Sequence, residues 1–213
     1  MANLIFDFDG TLADTLPQAR ILFDNLKLRP PLTDDEIARW RGMTTINVLR
    51  EVKIPIWKVP SLISNGRRDM KEIIKHVEMF DGIDAMLRDL KQRGHRLYVV
   101  SSNSVDNIND FMDRYLATDL FDHIYGDASF FAKYKNIRSV MQVNGLEQNQ
   151  SVYIGDETRD IEAARKVGIP CVSVTWGFNA KSILLEHKPN FIVDTPAELQ
   201  QLLAGNLEIG SAA

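Results

Sequence analysis

The sequence predicts an α/β fold, a parallel sheet covered by helices on both faces, with a small all-helical cap inserted after the first strand. Three observations predict it. The run Leu4, Ile5, Phe6, Asp7, Phe8, Asp9, Gly10, Thr11 is apolar and closed by acids and glycine, which suits a strand buried on both faces with carboxylates at its carboxyl end. From about residue 81, short apolar runs alternate with helical stretches, the pattern of β-α units. Between about Thr15 and Phe80 no strand alternation is found.

In chain order, a helix is expected over 18–28, with Ile21, Leu22 and Leu26 on one side and Pro30 and Pro31 as its stop. Thr33 and Glu36 form a capping box that opens a short helix through Ile37 and Trp40. After a break at Arg41, Gly42 and Met43, Thr44 or Thr45 caps another helix carrying Ile46 and Leu49. Leu62, Ile63, Met70, Ile73, Ile74 and Val77 give a longer amphipathic helix, weakened at Gly66. Asp81 is placed as the cap of a helix in which Ile83, Met86, Leu87 and Leu90 share a face and Gly94 is the stop. Strands follow at 96–100, near Ile124, and at 152–154, 171–174 and 191–193. Helices are expected over 105–115, 134–143, 160–167, 180–187 and 197–203, and the tail 210–213 is expected to fray. The core then comprises residues 1–15 and 81–213, and the cap residues 16–80.

The 213 residues are 45% hydrophobic and 25% charged, the balance of a globular protein able to bury a core. A net charge of −4 offers no general electrostatic grip on nucleic acid or on an anionic membrane. No segment approaches the roughly 18 uncharged apolar residues of a membrane span, and the start MANLIF does not read as a signal peptide. Cys171 is the single cysteine, which fits a reducing cytoplasm and a buried, inert thiol. His76, His95, His123 and His187 lack metal-ligand spacing and read as structural.

Four places carry chemistry. Asp7 and Asp9 begin on one side of the first strand by its period of two, and crowded carboxylates need a cation or a shared proton. The bland alternative is a simple turn at Asp9, Gly10 and Thr11. Ser101, Ser102, Asn103 and Ser104 follow the strand LYVV at a helix start, a natural phosphate seat, with Ser101 assigned to ligand and Ser104 to the cap. Lys133 stands just ahead of a helix and is favoured over Lys135, in that helix's first turn, as the ammonium such a site needs. In VYIGDETRD, Gly155 provides a sharp turn, and Asp156 and Asp160 share a face if the helix begins at the turn. Oxygen ligands and a phosphate make Mg²⁺ the best-suited cation.

DFDGT, VVSS, the lysine and GDETRD, in this order, resemble the haloacid dehalogenase-like hydrolase superfamily and its phosphoglycolate-phosphatase-like members with a helical cap. The resemblance covers about residues 3–203. Tyr134 departs from it, standing where many relatives have proline. It implies a Rossmann-like core and a Mg²⁺-dependent phosphatase. Asp7 would be the nucleophile that forms an aspartyl-phosphate, and Asp9 the general acid and then base. Ser101 and Lys133 would hold the phosphoryl group, while Asp7, the carbonyl of Asp9, and Asp156 bind the metal with Asp160 in support. Members acting on carbon–halogen bonds lack an acid two residues after the nucleophile, so Asp9 favours phosphoryl chemistry. Gly10, Thr11, Ser102, Asn103, Arg41 and Gly42 are candidate substrate contacts. Arg67 and Arg68 are further candidate anion contacts but are expected to be solvated, and the loop Trp176, Gly177, Phe178 is expected to pack on the last helices, with lining of the entrance as the alternative. The expected partner is a small phosphorylated metabolite, with no nucleic acid or membrane, and the chain a monomer or homodimer. The alternatives are a phosphomutase of the same fold and a non-catalytic phosphate-responsive partner protein.

Overall fold

Leu4 and Phe6 pack into one apolar cluster and Ile5 into another, so the first strand is buried on both sides. This strand, β1 (Asn3–Phe6), is central in a computed structural model that describes residues 1–27, 29–129 and 131–204. The same alternation runs through its neighbours: Leu97, Val99, Val152 and Ile154 join the first cluster, Tyr98, Val100 and Tyr153 the second. Each face therefore needs its own helical layer, and the strands read as apolar runs rather than as half-polar alternation.

The sheet has six strands among the described residues, in the order β3-β2-β1-β4-β5-β6 and all parallel. The others are β2 (Arg96–Val100), β3 (His123–Tyr125), β4 (Ser151–Gly155), β5 (Cys171–Val174) and β6 (Phe191–Val193). The strand order reverses between β1 and β4, and the crevice outside the carboxyl ends at such a point is where open α/β sheets bind ligands.

Between β1 and the core helices lie α1 (Leu16–Asn25), α2 (Asp34–Arg41), α3 (Thr45–Glu51) and α4 (Val59–Ile73). No strand is found there among the described residues, as expected; the isolated bridge of Ala13 to Met79 closes the insert at its base. The capping box of Thr33 and Glu36 is formed, and Thr44 caps α3. Helix α1 stops at Asn25, earlier than the apolar pattern suggests, because Lys27 turns left-handed at φ +52°. Leu28 and the tail 210–213 lie outside the described residues.

The core helices are α5 (Ile83–Gln92), α6 (Val105–Arg114), α7 (Lys133–Asn144), α8 (Thr158–Val167), α9 (Lys181–Glu186) and α10 (Pro196–Ala204). Ile83, Met86, Leu87 and Leu90 are all buried on α5. Its N-cap is Gly82 in the left-handed region, not Asp81, whose side chain makes no capping bond. Ser104 caps α6 by accepting from the Asn107 N–H, which agrees with its structural assignment. Cys171 is buried, and burial pushes its thiol up, away from reactivity. No helix among the described residues is long and apolar enough to cross a membrane.

Candidate active site

Past Phe6 the chain keeps one more rung, the Asp7 N–H donating to the Ile154 carbonyl at 2.8 Å, and then coils as Leu12 and Ala13 bond back to the Phe8 carbonyl. The even and odd residues part at that point. Phe8 enters the first cluster and meets Phe111 edge-on at 5.0 Å, while Asp7 faces the side covered by α7 and α8. The coil turns Asp9 the other way, so the two acids take different partners rather than continuing along one strand face. Asn103 Nδ2 donates to Asp9 at 3.1 Å, and Ser101 Oγ lies at 3.4 Å from it. Ser101 is fully buried at the end of β2, its hydroxyl accepting from the Asn103 N–H at 3.0 Å.

Lys133 is the first residue of α7 rather than the residue before it, and it is buried. Its ammonium pairs with Asp7 Oδ2 and Asp160 Oδ1, whereas Lys135 is exposed. Asp156 lies at the end of β4, outside α8, so it and Asp160 do not share a helix face as expected. They meet because Glu157 is the N-cap of α8 in a reciprocal capping box, its N–H donating to Asp160 Oδ2 at 2.9 Å. Gly155 is required for close approach rather than for a sharp turn: a Cβ there would lie 2.4 Å from Asp160 Oδ2. Thr11 donates to Asp156 Oδ1 at 2.7 Å and the Phe178 N–H to Oδ2 at 2.7 Å. Gly10, at φ +76°, passes so near that a Cβ would meet Asp156 at 2.3 Å.

The candidate substrate contacts divide. Ser102, Asn103 and Arg41 line the cavity above the acids, whereas Thr11 is fully buried with its hydroxyl on Asp156. Gly42 is the exposed C-cap of α2, and Arg41 donates to the Gly177 carbonyl at 2.9 Å. Arg67 corrects the expectation of a solvated side chain. It reaches from α4 to the Ser102 carbonyl, to Asp127 at 2.9 Å and to the Ala128 carbonyl at 3.3 Å. Arg68 does stay exposed. The loop after β5 divides: Phe178 lines the cavity, while Trp176 packs against the cluster that includes Leu199 and Leu203 of α10, its Nε1 donating to the Thr11 carbonyl at 3.1 Å.

Sequence reasoning missed Glu157 and Arg159. Arg159 donates to Glu157 through Nε, at 2.9 Å, and through Nη2, while Thr45 of the cap donates to Glu157 at 2.9 Å. The available signal was the alternating charge of DETRD itself, in which an arginine lies between acids that the motif already placed in the site.

The electrostatics follow from this crowding. Burial raises Asp7, and Lys133 and Arg159 partly offset it. Burial also raises Asp9, against the bond from Asn103. Asp156 is raised well above the usual carboxylate range by burial and then by Glu157, Asp160 and Asp7; Asp160 is pushed up to about 6 by burial and by Asp7. Burial disfavours the Lys133 cation, yet Asp160 and Asp7 outweigh it and keep the ammonium charged. Carboxylate oxygens of Asp7, Asp156 and Asp160 lie within 4.8 Å of one another. An all-oxygen donor set whose members are held back from ionising by burial and by one another fits a hard divalent cation.

A family model described as haloacid dehalogenase-like hydrolase matches residues 4–174. The chain belongs to this family. A phosphoglycolate phosphatase of Synechococcus elongatus is 31% identical over 94% of this chain and 96% of its own length. A 5'-nucleotidase of Pseudomonas aeruginosa is 28% identical over 94% and 95%. Among solved structures, a haloacid dehalogenase-like hydrolase from Streptococcus pneumoniae superposes with a TM-score of 0.75 at 25% identity, covering 94% of this chain and 97% of that one. A hydrolase from Pseudomonas syringae does so at 0.75 and 19%, covering 96% and 98%, a likeness of fold.

Proposed function

We propose that this family member is a Mg²⁺-dependent phosphomonoesterase working through an aspartyl-phosphate on Asp7. The observation that carries the reading is the buried set Asp7, Asp156 and Asp160 with the Lys133 ammonium on two of its members. The relative at 31% identity, a phosphoglycolate phosphatase, supports the same chemistry.

In this reading an Asp7 oxygen attacks phosphorus, the bond to the leaving oxygen breaks, and Asp9 gives that oxygen its proton. Asp9, now ionised, takes a proton from water as the water oxygen attacks the phosphorus of the acyl phosphate, releasing phosphate and Asp7. Splitting one displacement in two is what a carboxylate nucleophile contributes. The burial that raises Asp9 keeps it protonated at higher pH than an ordinary aspartate, as an acid at this step requires. Lys133 and the Ser101 hydroxyl at the end of β2 would hold the phosphoryl oxygens, where electrostatic stabilisation contributes most. Asp7, the Asp9 carbonyl and Asp156 would hold Mg²⁺, with Asp160 fixing Lys133 and the turn. Bound there, the cation neutralises charge on the transferring group.

The test is hydrolysis of 4-nitrophenyl phosphate. Turnover is expected to require Mg²⁺, to stop on chelation, and to fall by at least about 10³-fold in Asp7→Asn with the fold retained by circular dichroism. Undiminished activity in Asp7→Asn overturns the proposal.

A further inference from the structure

The cavity above the acids measures about 470 Å³, within the roughly 300–1,000 Å³ of pockets that enclose drug-sized ligands. Its floor is polar, with Asp9, Ser102, Asn103 and Arg159, and its walls are mostly aliphatic and aromatic, including Leu22, Phe23, Trp40, Val48, Leu49 and Leu62. Helices α1, α2 and α3 have no fully buried side chain, so the cap does not close a dry core of its own. Its apolar faces line this space instead.

Most charged groups at the margin are engaged or outward: Arg20 bonds Asp34 at 2.7 Å and the Leu32 carbonyl, Arg67 bonds the loops of the core, Arg159 bonds Glu157, and Asp69 is exposed. Arg41 bonds the Gly177 carbonyl through Nη2, while its buried Nε has no partner among the described residues. The walls give a polyhydroxylated body little to pair with, and they favour whatever removes apolar surface from water.

Position then selects the occupant. Asp9, the proposed proton donor to the leaving oxygen, lines the cavity floor, so the group attached to that oxygen must extend into the cavity. We infer that the preferred substrates are phosphomonoesters whose leaving group is an extended apolar alcohol, alkyl or aryl, rather than two-carbon anionic phosphates such as phosphoglycolate. This rests on the phosphatase reading of the same site and adds its substrate class.

The experiment measures kcat/KM of the full chain, in Mg²⁺, for methyl, butyl and octyl phosphate, with phosphoglycolate and adenosine 5'-monophosphate alongside. Burying a methylene is worth roughly three- to fourfold, so kcat/KM is expected to rise at least about tenfold from methyl to butyl, to rise again to octyl, and to exceed that for phosphoglycolate. Ala19→Phe and Val48→Phe, which fill the cavity, are expected to lower the octyl-to-methyl ratio about tenfold, with thermal unfolding confirming that each variant is folded. A ratio that does not change with chain length, or a preference for phosphoglycolate or the nucleotide, overturns the inference while leaving the phosphatase in place. Failure to hydrolyse any of the five esters overturns the phosphatase reading itself.

Discussion

Asp9 and Asp7 stand two residues apart, yet their surroundings divide them: one is held by a lysine between two carboxylates, the other by an amide and a hydroxyl. That division argues for different protons and different steps. Asp9→Asn is expected to reduce kcat by about 10²–10⁴-fold for an alkyl phosphate. The loss should be much smaller for 4-nitrophenyl phosphate, whose leaving oxygen departs without a proton. Equal losses on both substrates would show that Asp9 does not protonate the leaving group. The acids themselves were legible because each ends an apolar run. Arg159 and Glu157 were not, because a charged residue beside a motif reads as solvated until the fold shows it covered by a second segment, here Thr45.

Among the elements, the turn before β3 shows how one side chain aligns an edge strand. Asp122 accepts from the Leu97 N–H at 2.9 Å and from Lys91 at 2.7 Å, and its own N–H donates to the Leu97 carbonyl at 2.8 Å. Partial burial pushes its carboxyl up, but Lys91 and the Leu97 N–H pull further, leaving it below the ordinary 3.8. A depressed value stabilises the fold above pH 3.8, and the contribution is lost as pH falls through the lower, folded-state value. Asp122→Asn is therefore expected to cost about 1 kcal/mol at pH 7, with the difference from the parent narrowing below pH 3.8 in denaturant titrations. A gap that does not change with pH would refute the charge argument. Helix and strand placement was readable at this scale because periodicity is local. The start of α8, expected at Asp160, lies two residues earlier at Thr158, because Glu157, an uncommon N-cap, closes the first turn.

Across the whole molecule, the cap is held down by polar reach as well as by packing, its Met70, Ile74 and Val77 being buried in the first apolar cluster of the core. Arg67 makes three contacts with loops following β2 and β3, Thr45 reaches Glu157, and Asn179 donates to the Arg41 and Met43 carbonyls at 3.3 and 3.0 Å. Arg67→Ala is expected to cost roughly 1–3 kcal/mol through the carbonyls it leaves unpaired, and to speed proteolysis within residues 16–80 while the core fragment persists. Unchanged cleavage would show that the contact does not secure the cap. Arg67 was read from sequence as solvated because α4 is amphipathic by itself, and only the position of Asp127 reveals what its polar face meets. The loop around Phe178 was misplaced for a related reason: β-α alternation predicts a parallel sheet but not the strand order that seats β5 beside β4 and its loop over Asp156.

The two ends of the helical insert are fastened to each other, the Asp14 N–H to the Glu78 carbonyl at 2.9 Å and the Phe80 N–H to the Leu12 carbonyl at 3.3 Å. That clasp lies three to five residues past Asp9 along the chain. Any tilt of the insert about its base would pull first on the coil carrying Asp9, so a motion that admits an ester would be geared to the group proposed to protonate its alcohol.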